Sequence, residues 1–154
     1  MLQITEALNS SEIQQVRHIF QEYAVTRGFD DALKGFEEEL ANLPGKYAAP
    51  SGALLLAKWK KEAVGCVAFR ALSDSICEMK RMYVKPTFRG KGIGKALVVH
   101  LLDVAKARSY KSMCLDTHPT MLVAHQLYAQ FGFKEIERYN DNPIEGIRFF
   151  ERTL

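Results

Sequence analysis

Arg89-Gly90-Lys91-Gly92-Ile93-Gly94 is the stretch on which the fold of this chain turns. Before it, Ile76 to Val84 is strand-like, and Pro86, which cannot donate to a ladder, closes that strand near Val84-Lys85. After it, Ile93, Leu97, Leu101, Val104 and Ala105 fall on one face of a helix running from Gly92 to Arg108. Strand, glycine turn and helix make a place for an anion: glycines let backbone N–H groups approach it, and the helix N-terminus adds partial positive charge. Lys85, Arg89, Lys91 and Lys95 crowd the same stretch. Each charge-assisted hydrogen bond to a phosphate contributes roughly 1.5–3 kcal/mol, so a pyrophosphate is the expected guest. Taken alone, the same glycines also fit a plain turn with a solvated basic face, and the surrounding chain has to decide.

Spacing removes two nucleotide-binding readings. A dinucleotide loop needs G-x-G-x-x-G and an acidic residue about 20 positions on, whereas these glycines stand as G-x-G-x-G. A Walker A loop would need glycine where Arg89 stands and Ser or Thr where Ala96 stands. The pattern that is met is [QR]-x-x-G-x-[GA], by Arg89, Gly92 and Gly94, and here the chain resembles the GNAT acetyltransferase superfamily. Met82-Tyr83-Val84-Lys85-Pro86 is similar to the family's strand end that lies along the pantetheine arm. Leu127-Tyr128-x-x-x-Gly132-Phe133 is similar to its second signature. The resemblance runs from about Ala53 to the C-terminus, with the N-terminal helices similar to the family's substrate-side wall.

Working outward, Leu2 to Ala7 reads as a first strand, and Ser10-Ser11 offer an N-cap for a helix with Ile13, Val16, Phe20 and Tyr23 on one face. A second helix is expected between Phe29 and Leu43, stopped by Pro44-Gly45. Ala53–Ala57, Ala63–Phe69 and Ile76–Val84 read as an antiparallel meander. Ser112 to Thr117 is a further strand. Ala124, Leu127, Tyr128 and Phe131 mark a helix ended by Gly132, and Phe133 to Glu137 and Ile147 to Arg152 close the sheet. The expected fold is α/β: a mixed, mostly antiparallel sheet of six or seven strands with helices on both faces, opened where Val84 and Asp116 end their strands.

All 154 residues are read as one N-acetyltransferase domain, 1–154, since that length suffices for a single core. A net charge of +3 is too mild for a nucleic-acid surface, and no apolar run approaches a membrane span, so the expectation is a cytoplasmic protein without nucleic-acid or membrane partners. Homodimerisation is compatible with this composition. Cys66, Cys77 and Cys114 lack metal-ligand or disulfide spacing and read as buried, reduced thiols; no metal is expected.

What the resemblance implies is acetyl transfer from acetyl-CoA to a primary amine of a small molecule or peptide, directly and through a tetrahedral intermediate. Backbone groups from Arg89, Gly90, Lys91, Gly92, Ile93, Gly94 and Lys95 would bind the coenzyme A pyrophosphate, with Met82, Tyr83 and Val84 along the arm. Tyr128 would protonate the departing thiolate. On its own pattern Tyr128 also fits a helix core position. Many relatives carry Asn seven positions before the tyrosine; Met121 stands there, leaving that contact missing or supplied by Thr120. Glu78, at the offset of a general-base glutamate in some relatives, and His118, a side chain type that titrates near neutrality, are the candidate bases. Lys80 shares the strand face of Glu78, which would make that carboxylate structural. The polar loop Tyr139-Asn140-Asp141-Asn142-Pro143 either meets the acceptor or is an ordinary turn. The alternative from another class is a non-catalytic acyl-CoA sensor or interaction module; a P-loop hydrolase ranks third.

Overall fold

Three consecutive leucines, Leu54-Leu55-Leu56, show how the sheet is built: in a strand with a two-residue period they must face opposite sides, so both sides need cover. The computed structural model, which describes residues 1–26 and 35–154, provides it. Its strands are β1 (Leu2–Glu6), β2 (Ala53–Trp59), β3 (Glu62–Ala71), β4 (Ile76–Val84), β5 (Ser112–Thr117), β6 (Lys134–Ile136) and β7 (Arg148–Thr153). They form one sheet in the order β1-β2-β3-β4-β5-β7-β6. Every neighbouring pair is antiparallel except β4 and β5. The expected mixed, mostly antiparallel sheet is the one observed.

Leu54, Leu56, Cys66 and Ala68 face a layer made by α1 (Ser10–Thr26) and α2 (Phe36–Ala41), which contributes Val16, Ile19, Phe20 and Phe36. Leu55, Val67, Phe69 and Met79 face the opposite layer, where α3 (Ile93–Ala107) buries Ile93, Leu97 and Leu101 and α4 (Leu122–Gln130) buries Tyr128. Each fully buried Leu or Ile stabilises by roughly 1.5–3 kcal/mol relative to exposure.

Two local readings are corrected. The cap of α1 is Asn9 rather than Ser10 or Ser11: Asn9 Oδ1 accepts from the Glu12 N–H at 2.8 Å, and Glu12 Oε1 accepts from the Leu8 N–H at 3.4 Å. The second helix begins at Phe36 and ends at Ala41, with Asn42 at its C-terminus ahead of Pro44; Phe29 and Leu33 lie outside the described residues. Lys60 and Lys61, both with positive φ (50° and 71°), turn β2 into β3 in the two-residue form that matches strand twist.

Candidate active site

The parallel pair β4–β5 lasts only three registers, Ile76↔Ser112, Cys77↔Met113 and Glu78↔Cys114. Beyond Glu78 the two strands continue without pairing to each other, and a cleft opens between them. A bulge in β4 accompanies the divergence. Ala68 pairs with Lys80 and Cys66 with Tyr83, so Arg81 and Met82 stand opposite the single residue Val67. Arg81 takes φ 61°, a left-handed conformation that costs a non-glycine residue on the order of 1 kcal/mol. Its side chain is held on the α1 face by Glu39, with Nε and Nη2 donating at 2.8 and 3.0 Å, and lies over the rings of Phe36 and Tyr23. Burial acts to raise the Glu39 carboxyl, but hydrogen bonds and charge from Arg81, with Lys46 beside it, outweigh burial and leave Glu39 below the ordinary range.

On the α3 side of the divergence, a groove of about 650 Å³ runs between the glycine loop and α4. Gly90 and Gly92 have φ of 80° and 77°, and a Cβ at either would meet nothing within 4 Å. They are therefore required by backbone conformation, and the space beside them is open to a guest. Gly92 caps α3 without a side-chain bond, so the N–H groups of Ile93, Gly94 and Lys95 have no helical acceptor. Arg89, Gly90, Gly92, Ile93, Gly94 and Lys95 line this groove, as do Met82, Tyr83 and Val84 from β4. Lys91 does not: its ammonium lies over the Trp59 ring, 5.7 Å from the centroid, and only its backbone belongs to the loop. An uncapped helix start, two open left-handed glycines and two cations fit a pyrophosphate.

Tyr128 lines both the groove and the cleft, together with Met82 and Met121, so the two cavities meet at these three side chains. Its ring packs against Phe133, and no described residue hydrogen-bonds its hydroxyl. Burial, with a smaller contribution from nearby Tyr23, raises this hydroxyl above an ordinary tyrosine and keeps it protonated.

His118 lines the cleft, but its Nδ1 accepts from the Thr120 N–H at 3.2 Å and pairs with Thr120 Oγ1 at 2.7 Å. A backbone N–H can only donate, so the neutral ring carries its proton on Nε2. The Thr120 hydroxyl, the one candidate to supply the contact that Met121 cannot, is already engaged with this ring. Glu78 is 1% exposed and is not among the cleft-lining residues. Its Oε1 accepts from Arg70 Nε at 3.0 Å, its Oε2 accepts from the Tyr139 hydroxyl at 2.6 Å, and Lys80 Nζ stands 3.9 Å away. Lys80 thus shares the face with Glu78 as expected, while Arg70 and Tyr139 are the closer partners.

The polar loop comes to the site from both directions. Tyr139 reaches Glu78, and Asn140 and Asn142 donate to Asp116 Oδ2 at 2.7 and 3.4 Å, where β5 ends. Asp116, Asn142, Lys80 and Arg81 all line the cleft. The sequence offers Asn142 as an acceptor contact through its polar loop, Lys80 only as a partner of Glu78 and Asp116 only as a mark of where the sheet opens, and it carries no signal for Arg81. His125, on α4, is structural: Nε2 donates to the His118 carbonyl at 3.1 Å and Nδ1 accepts from Arg148 at 3.1 Å. All three cysteines are buried free thiols, with Cys77 and Cys114 pushed up to about 12, chiefly by burial.

Residues 13–133 match the family described as Acetyltransferase (GNAT) family. An uncharacterized N-acetyltransferase of Schizosaccharomyces pombe is 38% identical over 145 residues, covering 93% of this chain and 89% of that protein. The N-acetylaspartate synthetase of Danio rerio is 29% identical over 85% of this chain, which spans 46% of its length. Among solved structures, the PaiA N-acetyltransferase of Thermoplasma acidophilum, crystallised in complex with coenzyme A, superposes with a TM-score of 0.77 at 18% identity, covering 100% of this chain and 99% of that one.

Proposed function

The chain belongs to the GNAT acetyltransferase family, whose members are acetyl-CoA-dependent N-acetyltransferases, and from that premise we propose that it acetylates a primary amine of a small molecule or peptide in the cleft between β4 and β5. The observation that carries this reading is the meeting of the two cavities at Met82, Met121 and Tyr128. One of them fits a diphosphate-bearing carrier, and the other leads from the diverging strands. When bound, acetyl-CoA would supply the thioester carbon to which the amine nitrogen adds, with the C–N bond formed before the C–S bond breaks.

The residues divide the work by position. N–H groups at the start of α3, with Arg89 and Lys95, hold the pyrophosphate. Beyond Glu78 the β4 edge facing β5 has no ladder partner, so its backbone around Met82 to Val84, apart from the Val84 carbonyl that accepts from Arg89 Nε at 3.0 Å, is available to the pantetheine arm and to the acetyl oxygen. Tyr128 holds the proton that the departing sulfur takes up. The nitrogen loses its proton to water in the cleft, and a proton from solvent restores Tyr128, so protons balance over a turnover.

Glu78 is given a positioning role, because Arg70 and Tyr139 already occupy both its oxygens at close range. His118 is given a donor role, because its free lone pair is taken by Thr120. The name of the fish relative points to an amino-acid acceptor for that protein, which supports keeping amino acids among the acceptors here. Reduced thiols favour the cytoplasm as the place of action.

The test is release of free thiol from acetyl-CoA on addition of amines, in buffer stripped of divalent metal. Amine-dependent thiol release with a mass gain of one acetyl group on the amine is expected. Absence of coenzyme A binding by calorimetry removes the reading.

A further inference from the structure

Charge on the β4 side of the acceptor cleft does not balance. On the α1 face of β4, Glu78 has two cations, Arg70 at 3.0 Å and Lys80 at 3.9 Å, and Glu39 has two more, Arg81 at 2.8 Å and Lys46 at 3.3 Å. Each carboxylate neutralises one charge, so this side of β4 keeps a surplus of two, of which Lys80 lines the cleft and Lys46 does not. Within each pair the closer partner is a guanidinium in hydrogen-bonding geometry, which leaves the lysine as the loosely held charge. Lys80 lines the cleft with its side chain 20% exposed, and Glu78 is its sole ion-pair partner among the described residues. Lys46 is held below an ordinary lysine, first by burial and, against the pull of Glu39, by the charges of Lys80 and Arg81, which are therefore close enough to be felt. His118, whose Nδ1 accepts from the Thr120 N–H, adds an Nε2–H donor to the same cleft.

Across the cleft the charge is opposite. Asp116, one residue before the end of β5, has Oδ2 accepting from Asn140 and Asn142, and no described residue hydrogen-bonds its Oδ1. Among the described residues it faces no ion-pair partner. Positive wall, negative wall and a thioester site at their junction describe a guest with both signs of charge.

Resting on the acetyl-transfer reading, we infer that the acceptor is an amine that also carries carboxylate, as an amino acid does, with Lys80 taking the carboxylate and Asp116 holding the ammonium before it loses its proton. The second surplus charge, on Lys46, lies outside the cleft lining but within electrostatic reach of Lys80, and the positive potential it adds favours a dicarboxylic amino acid over a monocarboxylic one. A bare alkylamine or polyamine brings only positive charge to a wall that already has too much.

Matched acceptors test this with the purified chain. A dicarboxylic amino acid, its carboxamide and the corresponding amine without carboxyl groups are compared for kcat/KM, and for binding by calorimetry. Loss of one charge-assisted contact predicts that the acid leads its carboxamide by about tenfold to a hundredfold. Lys80→Met should collapse that ratio toward one and weaken calorimetric binding of the acid about tenfold, with circular dichroism reporting an intact fold. Asp116→Asn should raise KM for acid and carboxamide alike. A tripeptide with an acidic first residue that outruns its amidated form supports the same recognition with a peptide as source. Neutral amines leading, or a Lys80→Met variant that keeps the acid preference, overturns the inference and leaves acetyl transfer standing. If no amine of any charge releases thiol, the acetyl-transfer reading falls and takes this inference with it.

Discussion

Tyr128 illustrates how one side chain can satisfy a packing role and a chemical one at the same place. Its ring belongs to the α3-side core, yet it lines both cavities, and burial keeps its hydroxyl protonated. Tyr128→Phe retains the ring and its contact with Phe133 and loses only the proton. Turnover should fall by about a hundredfold, the lower end of what a positioned acid contributes, with coenzyme A affinity unchanged by calorimetry. A lowered melting temperature with full turnover would place Tyr128 in the core alone. Gly92 makes the complementary case. A Cβ there meets nothing in the protein, but φ 77° strains any L side chain and a branched one projects into the groove. Gly92→Val should abolish coenzyme A binding while the chain stays folded, as checked by calorimetry beside circular dichroism.

At the scale of elements, β4 is the strand on which the site depends, because it changes partners midway. Its first half is zipped to β5; its second half is turned by the bulge at Arg81 and left open. The last paired residue, Glu78, ties this point to β3 through Arg70 and to the loop after β6 through Tyr139. A carboxamide at 78 retains one acceptor oxygen and replaces the other by a donor. Glu78→Gln should therefore cost about 2 kcal/mol of stability, the scale of a hydrogen bond to a buried charge, measured by urea unfolding. KM for the acceptor should rise as the loop loosens, while the shape of the pH–rate profile stays as in the wild type. Loss of the acidic limb in this variant would return Glu78 to the role of base. Sequence spacing named Glu78 through its offset from Val84, but whether its oxygens were free depended on Arg70 and on Tyr139, and the latter is 61 positions away.

For the whole molecule, the pair Arg81–Glu39 fastens the bulged strand β4 to α2, and it makes stability depend on acid. The folded Glu39 carboxyl lies below its ordinary value of 4.5, so its contribution is fully present above that value and is lost as pH falls through the lower folded one. Removing one partner of such a pair costs about 3 kcal/mol. Glu39→Gln should accordingly be less stable than wild type by about that amount near neutrality. Urea unfolding at several pH values should show the gap holding down to about pH 5 and closing below about pH 4. Lys46 shares the carboxylate, so Lys46→Met in the same background should add little.

What the sequence by itself determined is what short-range pattern encodes. Two-residue alternation made the strands, a helical stripe made α3, and the glycines of Arg89 to Gly94 with Leu127-Tyr128 and Gly132-Phe133 identified the groove that α3 and α4 enclose. These features live within one element or one turn, where backbone geometry follows from neighbouring residue types. Only the tertiary structure decided which charges meet: Arg81 finds Glu39 across 42 positions, Asn140 finds Asp116 across 24, and Lys91 turns to Trp59 instead of the groove. Such partners are set by how whole elements dock and where β4 leaves β5, and a polar side chain carries no periodic signal of the carboxylate it will face.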